Sequence, residues 1–474
     1  MLRKAATTRY VSYFFGTLLT IANLFLITYL LDIYQFGVWG VANSLIYVFS
    51  QLAQLTYVQY IEKYFPKYSK ERMNYYLFKF IKTVFLTSIL WFMTLSLAEY
   101  FGYFEKFNAE NLPILFLIIA LLSCVEASIE LSAKYLLALK ETAKFDLNEL
   151  IVFKLFRLVI FYILLINEYS VYYLLLTNLI LRSVFLIRIL LGRNDKLINL
   201  FKSILFSNVK VDNFKNLSYT FTAFIIKTLQ VTFLNVIFLL LTNMSDNETI
   251  AIYSLGILII NNLKPIYASL SSLLLPIISK NIHNQKINPE LLSLVSFMNK
   301  IFIGFTILLA INITKYKFII SLFLESFDSQ IYNIILISVA AASITSLYLP
   351  KYLSLLFSDN EKKIFKYLFI NFISCISIFY YFSLEYETNL IYFYILFELI
   401  NYFLFSIMFG LGKVKNIFTP SFYVLLVYLA LHLYGIDFSI IMILIYLVSL
   451  FYDISQFIKR FKAFEKSKNE NYET

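Results

Sequence analysis

Residues 112–133 read LPILFLIIALLSCVEASIELSA, and the only charges among them are Glu126 and Glu130. At 1.5 Å per residue a helix of this length covers the roughly 30 Å hydrocarbon core of a bilayer. A membrane strand would need an alternating segment of only about ten residues. The run therefore reads as a membrane-crossing helix that carries two acids four residues apart, on one face. Runs of the same kind recur along the chain. The spans expected from them are 10–31, 38–58, 79–100, 112–133, 149–167, 171–190, 217–242, 250–279, 297–313, 331–357, 366–383, 390–411, 419–435 and 438–457. The expected fold class is thus an all-α polytopic membrane protein of about 14 transmembrane helices.

Composition agrees. The chain is 60% apolar, 19% aromatic and 15% charged, and its mean hydropathy is +0.75. Soluble domains run at about 45–50% apolar and about 25% charged, so a water-soluble fold could not hide this much Phe, Tyr, Ile and Leu. Disorder is excluded on the same figures, and 10 Gly and 7 Pro exclude collagen-like classes. The first run follows Arg3, Lys4 and Arg9. It is too long for a signal-peptide core and has no small-residue cleavage site after it, so it is expected to be the first membrane helix.

The net charge of +11 does not point to nucleic acid, because of where the cations lie. With an even number of spans both termini share a side. Loops on that side, with the helix-end residues Arg188, Lys300 and Lys366, hold 29 Lys or Arg, whereas the opposite loops hold three, Lys106, Lys315 and Lys317. This asymmetry predicts cytoplasmic termini. The longer basic loop 191–216 divides the spans into six and eight.

Charged residues inside the spans are the strongest functional pointers, since each costs about 2.5–3.5 kcal/mol on insertion scales. They are Glu126, Glu130, Lys154, Arg157, Arg182, Lys227, Lys264, Lys351 and Glu398. Lys154 and Arg157 share a helix face, and one structural reading pairs them with Glu126 and Glu130 on the preceding span. Lys227 lies nearest a span centre and is hardest to explain by snorkelling. Uncharged polar stripes add to this: Gly16, Thr20 and Asn23 in the first span, Asn43, Tyr47, Ser50 and Gln54 in the second, Thr228, Thr232 and Asn235 in the seventh, and Asn261, Asn262, Ser269 and Ser272 in the eighth. Such faces either glue helices together or line a wet cavity. The pairs one–two and seven–eight are related by a shift of six, as a parallel six-helix repeat would give. Residues 36–40, Phe-Gly-Val-Trp-Gly, align with 250–254, Ile-Ala-Ile-Tyr-Ser.

No phosphate-binding loop, nucleophile elbow, zinc-protease helix or dinucleotide fingerprint occurs. Two cysteines, Cys124 and Cys375, and two histidines, His283 and His432, make no ligand cluster. No cofactor, metal or nucleic-acid partner is expected, and the thin loops opposite the basic side favour transport over catalysis.

Three stretches carry a family resemblance. Leu31-Asp-Ile-Tyr-Gln-Phe-Gly-Val-Trp-Gly40, Val58-Gln-Tyr-Ile-Glu-Lys-Tyr-Phe-Pro66 and Phe318-Ile-Ile-Ser-Leu-Phe-Leu-Glu-Ser-Phe-Asp328 resemble the opening turn of helix two, its basic aromatic end, and the apolar segment before a long later helix in Wzx-type polysaccharide flippases. These belong to the multidrug/oligosaccharidyl-lipid/polysaccharide (MOP) exporter superfamily. In the third stretch Glu325 or Ser326 stands where that family usually has glycine. The resemblance implies a six-helix lobe over 1–200, a second over 201–416, the two arranged as a V, two extra helices over 417–457 and a basic cytoplasmic tail over 458–474. It implies movement of an undecaprenyl-diphosphate-linked oligosaccharide across the bilayer of a bacterial plasma membrane for O-antigen- or capsule-like polymers. A polysaccharide polymerase and a chain-length regulator are then the protein partners to test. In that frame Lys227, with Arg182 or Lys264 and with Arg157 and Lys154, would hold the diphosphate; Asn23, Asn43, Gln54 and Asn235 would contact sugars; Glu126, Glu130 and Glu398 would carry a coupling ion. Alternatives are a cation-coupled multidrug exporter of the same superfamily, a membrane polysaccharide polymerase, and a scaffold of an envelope-synthesis complex.

Overall fold

In the computed structural model the described residues are 2–65, 68–104, 111–139, 148–191, 217–242, 248–264, 334–335, 337–345, 348, 352, 361–385, 390–410 and 448. The expected spans 297–313, 419–435 and 438–457, apart from residue 448, lie outside them, as do Lys351, Ser269 and Ser272. Every regular element among the described residues is helical. We label them α1 Leu2–Leu30, α2 Ile33–Ala53, α3 Tyr57–Tyr64, α4 Lys70–Tyr100, α5 Leu112–Ala138, α6 Lys154–Ile166, α7 Val171–Leu191 and α8 Leu217–Leu241. There follow α9 (248–264) and α10 (337–345), then α11 Glu361–Glu385 and α12 Leu390–Gly410. Five of these are long and apolar enough to cross a membrane, or six with α8, which bends by 51° between Gln230 and Thr232. No proline or glycine lies at that bend. Instead Thr232 Oγ1 donates to the Thr228 carbonyl at 2.6 Å, the back-bonding that bends helices.

Helix ends follow their local chemistry. Asp32 caps α2 by accepting from the Gln35 N–H at 2.7 Å. After α4, Gly102 adopts φ 77°, its N–H reaches Glu99 O, and Tyr103 N–H reaches Ala98 O, which closes the helix with paired carbonyls. Glu168 (φ 58°) does the same after α6 without glycine. Lys154 and α6 are entered through a π-helical turn, Asn148–Phe153.

The second expected span, 38–58, is broken. α2 stops at Ala53, Leu55 takes φ 47°, and α3 starts at Tyr57. Since L-residues pay about 1–2 kcal/mol in the left-handed region, the turn is held by its surroundings. Those include Tyr57 stacked on Phe80 (4.1 Å between centroids) and the fully buried Phe65 against Phe80 and Tyr135.

α5 is the centre of the first half, packed on α2, α3, α4 and α7. Its buried Ser123, Ser128 and Ser132 each turn their hydroxyl back to a carbonyl of their own helix (2.6–2.8 Å), leaving a small-residue surface that lets neighbours approach. By contrast α4 exposes Leu86, Ile89, Leu90, Met93 and Leu97, an apolar face suited to lipid. α8 packs on α11 and α12, and also on α2 and α3, so it ties the later helices to the earlier ones. Gly40 on α2 meets α9 so closely that a Cβ there would fall 2.2 Å from the Ser254 Cβ. These two positions are the ones aligned by the five-residue repeat, and contact between equivalent positions is what a pseudo-two-fold axis passing between them produces.

Candidate functional site

The i, i+4 acids of α5 reach different partners. Glu130 Oε1 receives Lys227 Nζ of α8 at 2.7 Å. Its Oε2 receives Gln54 Nε2 at 2.5 Å and Gln51 Nε2 at 3.2 Å. Gln54 completes the set by accepting from Lys227 through its own Oε1 at 3.2 Å. A carboxylate, an ammonium and two amides thus satisfy one another where the early and later helices meet. Lys227 and Glu130 keep 28% and 30% of their side-chain surface exposed, so the pair is not sealed inside the protein.

Glu126 points elsewhere. It pairs with Arg182 Nε of α7 at 2.6 Å, and Arg182 Nη1 also meets Glu149 at 3.2 Å. The guanidinium lies 4.5 Å from the Phe153 ring centroid. Lys154 and Arg157 lie within electrostatic reach of the same two carboxylates, so three cations and two acids gather here, all within the first seven helices. Of the pairing of Glu126 and Glu130 with Lys154 and Arg157, one reading of the spacing, Glu126 keeps an electrostatic interaction with both cations but no direct contact, whereas Glu130 goes to Lys227 instead. Lys154 donates to the Gly16 carbonyl of α1 at 3.1 Å, a carbonyl that Thr20 also uses. Arg157 lies over Phe161 at 5.9 Å, and its buried Nε has no acceptor. Among the described residues neither Lys154 nor Arg157 makes an ion pair.

A third polar group lies among α8, α12 and Tyr348. Glu398 is fully buried and accepts from the Tyr348 hydroxyl at 2.5 Å; that hydroxyl accepts from Gln230 Nε2 at 2.9 Å. Lys264 sits 4.7 Å from the ring of Tyr394, which stands one turn before Glu398 on α12. Gln230 stands three residues beyond Lys227, so α8 touches both carboxylate sites.

The uncharged candidates divide. Gln54 belongs to the Glu130 group. Asn43 donates back to Trp39 O at 2.7 Å, and Asn235 accepts from Asn261 at 3.3 Å, gluing α8 to α9. Asn23 is buried with its Oδ1 unpartnered. Sequence reasoning passed over Gln51, Glu149 and Tyr348. Gln51 stands one turn before Gln54 and shares its face, a signal that was readable; nothing local marks the other two. Among the described residues no three His, Cys, Asp or Glu side chains group as a metal site.

No protein-family model and no curated protein matches this chain by sequence. Solved structures do match. The lipid II flippase MurJ in an inward closed conformation superposes with a TM-score of 0.61 at 16% identity, over 96% of this chain and 99% of that one. An inward-facing multidrug resistance MATE family transporter of the MOP superfamily gives 0.56 at 11% identity, over 87% and 98%. The chain shares the fold of these two proteins. A third match, the MATE multidrug transporter DinF-BH, gives 0.54 at 12% identity, over 88% and 96%. The matches cover most of this chain and nearly all of each of those, and the polytopic all-helical class expected from residues 112–133 is the class they share.

Proposed function

We propose that the protein is a flippase for an undecaprenyl-diphosphate-linked oligosaccharide, carrying it from the cytoplasmic to the outer leaflet of a bacterial plasma membrane by alternating access. The termini are cytoplasmic in this reading, which the 29-to-3 loop asymmetry supports. The lobes are 1–200 and 201–416, with two further helices over 417–457 and a tail over 458–474. The product feeds surface-polysaccharide assembly, with a polymerase and a chain-length regulator as partners.

The observation that carries the reading is the charge balance within the bundle. Lys227 is matched by Glu130. Arg182, Lys154 and Arg157 share only two carboxylates, Glu126 and Glu149, so this cluster keeps one positive charge in excess, and an excess charge in a low-dielectric bundle calls for an anion. Phosphate oxygens are the matching chemistry for Arg and Lys. In this assignment Lys154, Arg157, Lys227 and Lys264 serve the diphosphate, with Arg182 positioning the group; Asn23, Asn43, Gln54 and Asn235 serve the sugars. Glu398, fully buried and bonded to a tyrosine hydroxyl, is the first choice for a coupling ion, followed by Glu130 and Glu126.

The test is made in a strain lacking the gene, by extracting polyprenyl-diphosphate-linked sugars and assigning their leaflet. Complete repeat units held in the cytoplasmic leaflet, with surface polymer lost, are expected. Units that reach the outer leaflet unpolymerised would identify a polymerase instead. Unchanged lipid-linked sugars would favour a multidrug exporter, the activity named for two of the structural neighbours.

A further inference from the structure

The Glu130 group has the composition of an anion site with the anion already supplied by the protein. Three donors, the Lys227 ammonium and the Gln54 and Gln51 amides, converge on one carboxylate at 2.5–3.2 Å. Charged and amide N–H donors around oxyanion oxygens are what a phosphate requires as well. The donors come from α8 and the end of α2, whereas the acid comes from α5.

We propose that Glu130 is a removable internal occupant of this site and that a diphosphate group displaces it, so that ligand binding and the untying of α8 from α5 are one event. The ligand class rests on the flippase reading above; the tie itself does not.

Three observations support removal rather than permanence. The first is access to the cation, since Lys227 is 28% exposed and Arg182 13%, while the acids differ little, Glu130 at 30% against Glu126 at 24%. Charge is the second: a diphosphate brings more negative charge to Lys227 than one carboxylate does. The third is the backbone. Gln54 is followed at once by Leu55 at φ 47°, and strain of this kind concentrates where a segment has two arrangements. A Gln54 held by a regular helix would not need it.

The test uses the full chain in phosphatidylcholine nanodiscs, spin-labelled at Lys70→Cys and Lys362→Cys. Both residues are exposed and stand in the first turns of α4 and α11 at the basic end, and the native Cys124 and Cys375 are buried. Inorganic pyrophosphate is the probe. The ligand-free wild type is expected at a short label separation that lengthens with pyrophosphate. Glu130→Gln is expected to be long without ligand and to bind pyrophosphate at least about tenfold tighter, because the ligand no longer competes with an internal carboxylate. Lys227→Gln is expected to be long and unresponsive. The exchanged pair, Glu130→Lys with Lys227→Glu, rebuilds the tie and is expected at the wild-type separation, which separates loss of the ion pair from misfolding. A Glu130→Gln protein that keeps the wild-type separation, or that binds pyrophosphate no better, overturns the proposal. Opening by phosphatidylglycerol alone would assign the site to a phospholipid headgroup and overturn the diphosphate assignment. Since no oligosaccharide is used, the tie can fail while the cellular glycan assay succeeds, and the reverse.

Discussion

Glu126 and Glu130 stand one turn apart on α5, with the same side chain and the same helix around them, and they end in opposite kinds of neighbourhood. Glu126 is drawn into a unit with Arg182 and Glu149 whose members all belong to the first seven helices. Glu130 crosses to Lys227 on α8, which is also packed on α11 and α12. The first arrangement stays intact if the early and later helices move as bodies, while the second cannot. An intramembrane ion pair is thus read by which packed groups it joins, more than by its distance, since both pairs lie within 2.6–2.7 Å.

The largest expected effect breaks the structural side of this comparison. Arg182→Ala removes the cation in direct contact with Glu126 and Glu149 and leaves them to Lys154 and Arg157 farther off; removing one partner of a buried pair costs about 3–5 kcal/mol. Thermal unfolding of the purified protein should show this loss. Adding Glu126→Gln and Glu149→Gln should recover part of it by removing the repulsion between the two acids, the rest staying lost because Lys154 and Arg157 then lack those carboxylates. If Arg182→Ala is as stable as the wild type, the cluster is not the strut described.

Next in size is the other tie between early and later helices, at Gly40 and Ser254. A Cβ on Gly40 would fall 1.9 Å from Ser254 Oγ, whose hydroxyl is committed to Ile250 O. Gly40→Ser should therefore destabilise by about 1–3 kcal/mol through overpacking. Exchanging the residues, Gly40→Ser with Ser254→Gly, should restore stability if the two positions are equivalents meeting across an axis. Stability lost equally in the single and exchanged proteins would count against that equivalence.

The same comparison shows what was readable beforehand. Run length and composition were enough for the polytopic helical class, and an i, i+4 rule was enough to place Glu126 and Glu130 on one face. Lys227 and Gln54 stand out in the sequence for their cost in a bilayer. Partner choice was not readable: spacing defines a face but not which helix covers it, and the nearest basic span in sequence, holding Lys154 and Arg157, acts on Glu126 only from a distance while Arg182 and Lys227 make the direct contacts. Nor was the break after α2, because the residue that takes the left-handed turn is a leucine, where a glycine would have announced it. The five-residue repeat was a slender signal, yet its aligned positions touch.

A smaller effect is expected at Tyr348, which links Gln230 of α8 to Glu398 of α12. Tyr348→Phe removes the donor to a fully buried carboxylate and the acceptor for a buried amide, a loss of about 1–3 kcal/mol. Thermal unfolding should detect it. In the label-separation measurement the ligand-free protein should remain short, because the Lys227 pair is untouched. Lengthening would mean that α8 is held against α5 from the later side as well.

The smallest effect concerns Leu55. Its left-handed conformation costs about 1–2 kcal/mol relative to glycine, but glycine also loses more backbone freedom on folding, about 0.5–1 kcal/mol. Leu55→Gly should therefore be neutral to stabilising by about 1 kcal/mol in thermal unfolding. Its use lies in the sign. If the turn only accommodates the chain, relieving it should raise stability and leave the ligand-free label separation unchanged. If the strain is what makes the Gln54 arrangement one of two, relieving it should favour the tied state, so that more pyrophosphate is needed to lengthen the separation. Glu126 has no such turn beside it, and the same measurement on Glu126→Gln should show a pyrophosphate response like that of the wild type.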